Sequence, residues 1–164
     1  MLTNYSDDQI NFEGLEYDQI EGLNKALQSK VFILTGAPGT GKTHLLRKII
    51  DNLQTLEPGL NIQVMAPTGK ASQRASEMVG MEATTIHRGL EAGVDSGGFY
   101  FRRDEDRQLE CDVCIVDESS MLTVPLFASL LRALRNDARL ILVGDTDQLP
   151  PIGEGQVFSD MIKS

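Results

Sequence analysis

Residues Gly36-Ala37-Pro38-Gly39-Thr40-Gly41-Lys42-Thr43 follow the pattern G-x-x-x-x-G-K-[ST], whose residue types suit the holding of a chain of phosphates. A polyphosphate carries several negative charges on oxygens that accept hydrogen bonds. Gly36, Gly39 and Gly41 lack Cβ, so the backbone can wrap closely and aim its N–H groups inward. Lys42 brings an ammonium to the terminal phosphates, and Thr43 offers a hydroxyl to a magnesium ion. Further along stand two adjacent acids, Asp117-Glu118. Asp117 can reach a magnesium shell through water. Glu118, beside the metal but not on it, can orient and deprotonate a water for in-line attack on a γ-phosphate. Alone, the acidic pair would suit an exposed strand end equally well; its place downstream of a phosphate loop gives it meaning. Gln148 can hydrogen-bond a γ-phosphate and report its loss, or occupy a turn.

These groups need elements to hold them. The glycine-rich loop follows an apolar run, Val31-Phe32-Ile33-Leu34, and leads into an amphipathic run over 44–56. That is the strand, turn and helix the motif requires, and the helix start adds unpaired donors and a partial positive charge. Before it, Leu15, Gln19, Ile20, Leu23, Ala26 and Leu27 recur at helical spacing. Gln19 lies one helix ahead of the loop and by spacing alone reads as an exposed helix residue. Residues 61–66 read as a strand, 69–79 as a helix closed by Gly80, and Thr84 to Arg88 as the opening of a short helix with threonine as N-cap. Residues 93–98 read as a loop. Phe99-Tyr100-Phe101 with the charged stretch 102–107 suggests a small hairpin, whose aromatics could stack bases or cover a sheet edge. Residues 112–116 and 139–143 read as further buried strands. Between them 122–135 reads as a helix with Pro125 near its start and Leu126, Leu130, Leu131 and Leu134 on its apolar face. Residues 153–164 suggest a last helix. Strands alternating with helices predict an α/β fold with a mainly parallel sheet covered on both faces. Four polar loops, 36–43, 67–70, 117–118 and 144–148, then lie just past strand ends, where such sheets gather ligands.

The chain has 164 residues and a formal charge of −9, which suits one domain with a real core and excludes an overall basic nucleic-acid coat. The charge is uneven: Asp7, Asp8, Glu13, Glu16, Asp18 and Glu21 all precede the first lysine, Lys25, so residues 1–14 read as an acidic lead-in or short helix, and a local polar groove downstream remains open. Cys111 and Cys114 form one C-x-x-C with no second pair to complete a zinc site; overlapping an apolar strand, they read as structural thiols. No signal-peptide core or long apolar segment is found, and a cytoplasmic protein with no membrane partner is the expectation.

Taken together these segments resemble superfamily 1 helicases of subgroup B, in particular the RecD-type branch, the alpha subunit of exodeoxyribonuclease V and its relatives. Residues 35–43 look like motif I, 66–72 like motif Ia, 85–88 like motif Ib, 116–121 like motif II and 143–151 like motif III. The resemblance runs from about Leu15 to the end. It implies a three-layer RecA-like P-loop NTPase domain over 15–164, acting on ATP and Mg²⁺. It places Gln19, Gly36, Ala37, Pro38, Gly39, Thr40, Gly41, Lys42, Thr43 and His44 around the nucleotide, with Gln19 where the family reads adenine. Thr43 and Asp117 would hold Mg²⁺, Glu118 would activate water, and Lys42 and Gln148 would complete the catalytic set, Gln148 coupling the γ-phosphate to movement. Thr68, Gly69, Lys70, Thr85 and His87 would face single-stranded DNA. Family members carry a second RecA-like domain with an arginine finger, which Arg102, Arg103 and Arg107 do not match. The expectation is therefore the first motor domain of a 5′→3′ DNA helicase, with a second motor domain and recombination or repair subunits as partners. Dda- and Pif-type helicases are the near alternatives within the family. Outside it stand a nucleotide-dependent binding module and a small-molecule kinase, the latter lacking a visible basic lid or acceptor pocket.

Overall fold

The computed structural model describes residues 5–36 and 41–144. Within them a five-stranded sheet, parallel throughout, is built from β1 (Val31–Thr35), β2 (Ile62–Ala66), β3 (Ala83–Thr85), β6 (Val113–Val116) and β7 (Arg139–Gly144). Their order across the sheet is β1-β7-β6-β2-β3. β4 (Ala92–Asp95) and β5 (Gly98–Phe101) form a separate antiparallel hairpin.

Alternation along each strand makes the layers. Val113, Ile115, Ile141 and Val143 point to one face, into a core shared with α1 (Tyr17–Gln28), α2 (Lys42–Leu56) and Ala75 of α3 (Gly69–Val79). Cys114, Val116, Leu140 and Leu142 point to the other, where α4 (Ile86–Gly89) and α5 (Val124–Ala133) contribute Ile86, Leu130 and Ala133. The strands at the centre are buried on both sides, which is why β6 and β7 read as unbroken apolar runs. The expected three-layer α/β architecture is the observed one. No described helix is long and apolar enough to cross a membrane.

Several local expectations need correction. Thr84 is in β3, not in a helix, and Thr85 alone is the N-cap, its hydroxyl accepting from the Arg88 N–H at 3.1 Å. The hairpin pairs Phe99–Phe101 with the residues before them, not with 102–107, because the turn falls at Ser96-Gly97 and the small residues read as a loop form β4. On α5, Leu131 is exposed and Phe127 packs inward in its place; the helix runs over 124–133 rather than 122–135, beginning after the Thr123 cap. The acidic N-terminal segment is tied down. It makes a single 3-10 turn at Asp7–Gln9, buries Ile10 and is gripped by Asn52, whose amide exchanges two hydrogen bonds with the Asn11 backbone at 2.8 and 3.1 Å. Arg139, inward on β7, donates to the Leu27 carbonyl at 2.7 Å and lies against the Tyr5 ring. Cys111 and Cys114 are buried and unbridged. The neighbouring Cys111 sulfur and full burial push the Cys114 thiol well up, which keeps it protonated and inert, as structural thiols should be.

Candidate nucleotide and nucleic-acid site

Three strands end together on one rim. β7 separates β1 from β6, with Leu34 level with Val143, Thr35 with Gly144 and Val116 with Leu142. The loop leaving β1 returns to α2 through Gly41, whose φ of +83° is the left-handed conformation that glycine adopts without strain. Lys42 follows at the first position of the helix. Its ammonium donates to two carbonyls, Gly36 at 3.4 Å and Gly144 at 3.3 Å, so it spans the gap from its own loop to the end of β7. Both contacts are long for N–H···O bonds, and an ammonium on a flexible stem can exchange them for a better acceptor. Thr43 is half-buried on the same turn.

Asp117 leaves β6 with its N–H still on the sheet, donating to the Met65 carbonyl at 2.9 Å. Its side chain is only 9% exposed. Burial pushes its carboxyl above the usual aspartate range, opposed by the Glu118 N–H that it accepts at 2.8 Å and by the charges of Lys42 and Arg74. A buried carboxylate compensated by one backbone N–H and by the charges of Lys42 and Arg74 suits a divalent cation, and the hydroxyl of Thr43 and the carboxylate of Asp117 are oxygen donors of the type Mg²⁺ takes. A raised carboxyl pKa in the fold means the native state holds its proton more tightly than the unfolded chain. The stability this contributes is present below the unfolded pKa, about 3.9 for aspartate, and is lost as pH rises through the folded value. Asp117→Asn is therefore expected to stabilise the nucleotide-free domain at neutral pH, a gain that disappears in acid. Urea midpoints measured at both pH values check this.

Glu118 adopts a left-handed backbone, φ 51° and ψ 44°, which costs a residue with a Cβ about 1 kcal/mol. The strain is held in place: its N–H is bound by Asp117, its carbonyl accepts from Met121 at 3.0 Å, and Ser119 Oγ ties the turn back to the Val116 carbonyl at 2.8 Å. The carboxylate of Glu118 meets the Arg74 guanidinium at 3.0 Å.

Gln19 is not the exposed helix residue that spacing alone suggests. It is half-buried, accepting from the Glu16 N–H at 3.0 Å and donating to the Gly41 carbonyl at 3.3 Å, so its amide joins the start of α1 to the phosphate loop. Beside it, Gly22, Phe32, Thr35, Gly41 and Lys42 line an open cleft of about 260 Å³. The His44 ring lies 3.0 Å from the Gly14 carbonyl and anchors the N-terminal segment; what this residue can offer to phosphates is its backbone N–H. Ala37, Pro38, Gly39, Thr40 and Gln148, with the expected C-terminal helix, lie outside the described residues.

The second group of residues sits on the neighbouring strands. Ala66 of β2 pairs with Thr85 of β3, so the chain leaves both strands on the same rim. Thr68 caps α3, accepting from the Ala71 N–H at 3.1 Å, as Thr85 caps α4; each hydroxyl keeps its own proton to donate. Thr68, Gly69, Lys70 and His87 are exposed, and Thr85 is half-buried. The His87 ring contacts Phe99 edge-on at 6.2 Å and Phe101 at 5.8 Å, while Val94 and Phe99 of the hairpin are 71% and 72% exposed. Of the predicted residues, those described, His44 apart, thus fall into two clusters on one rim: Gln19, Gly36, Gly41, Lys42, Thr43 and Asp117-Glu118 at one end, Thr68 to Lys70 with Thr85 and His87 at the other. Arg74 stands between them and was not anticipated. Its spacing four residues after Lys70 marks a shared helix face, but its partner becomes visible only when β6 lies next to β2.

A phosphate loop at the end of one strand, an acid at the end of another and a third strand between them define a RecA-like P-loop domain. A family model described as AAA domain, AAA_19, matches residues 19–154. The chain belongs to that family. It is 41% identical over 143 residues to the ATP-dependent RecD2 DNA helicase of Deinococcus radiodurans, a match covering 87% of this chain and 19% of the relative. It is 40% identical over 158 residues to the RecBCD enzyme subunit RecD of Mycobacterium tuberculosis, covering 84% of this chain and 27% of that one. Among solved structures, one of two coordinating Pif1 helicases at forked duplex DNA superposes with a TM-score of 0.61 at 24% identity, over 89% of this chain and 38% of that one. The last likeness concerns the fold. The chain spans about a fifth to a quarter of the length of the curated relatives it matches.

Proposed function

We propose that this chain is the ATP-hydrolysing first motor domain of a RecD-type 5′→3′ DNA helicase. The observation that carries this reading is the strand order. It sets Lys42, Asp117 and Glu118 along one rim and brings Thr68, Lys70, Thr85 and His87 to the adjoining strand ends. In this reading the loop amides and Lys42 bind the β- and γ-phosphates, and Gln19 meets adenine from the neighbouring cleft. Thr43 and Asp117 would hold Mg²⁺, which would supply positive charge to offset that of the phosphates. Glu118 holds the attacking water and takes its proton. Gln148 senses the γ-phosphate. Thr68, Gly69 and Lys70 take backbone phosphates of single-stranded DNA, and Thr85 and His87 line the same path. A second RecA-like domain supplies the arginine finger, and partners resemble those of a recombination or repair complex, as the RecBCD subunit similarity suggests.

The test is phosphate release from Mg·ATP with and without oligothymidylate. A low basal rate that rises with the oligonucleotide is expected. Nucleotide binding with no turnover under either condition would favour a nucleotide-dependent binding module instead. The exposed hairpin makes a separate prediction. Phe99→Ala is expected to weaken oligothymidylate binding about tenfold through the loss of one stacking platform, measured by fluorescence anisotropy, and to leave nucleotide affinity unchanged.

A further inference from the structure

Arg74 reaches from the helix that carries Lys70 to Glu118 of the other cluster. It lies on α3, whose first turn carries Lys70 four positions earlier and so on the same face. Its guanidinium meets the Glu118 carboxylate, two residues past the end of β6, at 3.0 Å. The two ends differ in exposure: the Arg74 side chain is 63% exposed, that of Glu118 21%. Solvent and solutes therefore reach the arginine far more easily than the acid it holds. Glu118 has its backbone locked by Asp117 and Met121, so its freedom to act lies in the side chain alone. A guanidinium fork matches carboxylate and phosphate oxygens equally well, and Arg74 stands one helical turn past the proposed phosphate contacts.

We propose that Arg74 is a DNA-responsive latch: it holds the Glu118 carboxylate in the DNA-free protein, and a backbone phosphate arriving along α3 draws the guanidinium away and releases Glu118 to the attacking water. Arg74 is thus a positioning residue, acting through Glu118. The proposal rests on the reading of Glu118 as the water-activating group and of α3 as the DNA side. It gives DNA stimulation a direct physical route, since coupling between the two sites is reciprocal: whatever loosens the pair favours DNA, and DNA that takes Arg74 loosens the pair.

That reciprocity supplies a test that does not depend on turnover. Binding of fluorescein-labelled oligothymidylate to the nucleotide-free chain is measured for wild type, Arg74→Ala, Arg74→Lys, Glu118→Gln and the double variant Arg74→Ala/Glu118→Gln. Glu118→Gln is expected to tighten binding about threefold, the scale of a partly exposed ion pair. Arg74→Ala weakens it, and Arg74→Lys, which keeps the charge but not the fork, falls between. In the Arg74→Ala background, Glu118→Gln has no further effect. In phosphate release, Arg74→Ala raises the DNA-independent rate about threefold and shrinks the stimulation by oligothymidylate. Glu118→Gln that leaves DNA binding unchanged, or tightens it equally with and without Arg74, overturns the latch. So does Arg74→Ala with an unchanged basal rate and full stimulation. If instead the wild type does not bind oligothymidylate, or Glu118→Gln hydrolyses ATP normally, the reading of the site fails first and the latch with it.

Discussion

Lys42→Ala is expected to weaken binding of Mg·ATP on the order of 100-fold, the scale of losing a charge-assisted bond to phosphate at a partly buried position. The ammonium sits where two carbonyls, Gly36 and Gly144, hold it at 3.3–3.4 Å. These are weak restraints, and a triphosphate offers stronger ones. The same substitution removes one of the charges that offset the burial of Asp117, so that carboxylate becomes harder to ionise and, in the proposed reading, a metal there would be held less tightly. Titration with a fluorescent ATP analogue measures the effect, and a thermal melt separates it from unfolding. Affinity within a few-fold of wild type would remove the phosphate loop from the site.

Glu118→Gln is expected to have the larger effect on chemistry and almost none on nucleotide binding. An amide of the same shape gives up the ion pair with Arg74 but leaves the Asp117 to Glu118 backbone bond in place, and it cannot accept a proton. A positioned base contributes about 10²–10⁴-fold, so single-turnover phosphate release should fall by that factor while the ATP analogue binds as before. Equal loss of binding and hydrolysis would mean that Glu118 acts structurally. Because its left-handed backbone is held by three hydrogen bonds, neither substitution is expected to alter the turn after β6.

These predictions divide along the line between what the residues announce and what the fold arranges. The phosphate loop was legible because its chemistry is local: glycines, a lysine and a threonine follow one another, and the flanking strand and helix are adjacent in the chain. Helix ends were legible for the same reason. Gly80 closes α3 with φ 72°, and Thr85 caps α4 through its own next turn. The burial of both faces of β6 and β7 could be read from their unbroken apolar runs. Where sequence reading missed, the deciding contact was distant. Leu131 was placed inward on a periodicity that cannot tell which side of α5 meets the sheet. The acids that dominate the N-terminal segment suggest a lead-in or a short helix and hide its anchoring, because Ile10 and the Asn11 backbone find their partners across the fold, the latter 41 residues away.

What the sequence determined by itself is the set of chemical groups and the layered α/β class, since both follow from residue type and short-range periodicity. Only the tertiary structure decided the order β1-β7-β6-β2-β3. Five short strands carry no mark of which will be neighbours; that choice is made by the packing of helices on two faces and by the hydrogen bonds between strands far apart in the chain. The order puts Gly144 beside Lys42, sets Glu118 against Arg74 and brings Thr85 level with Ala66.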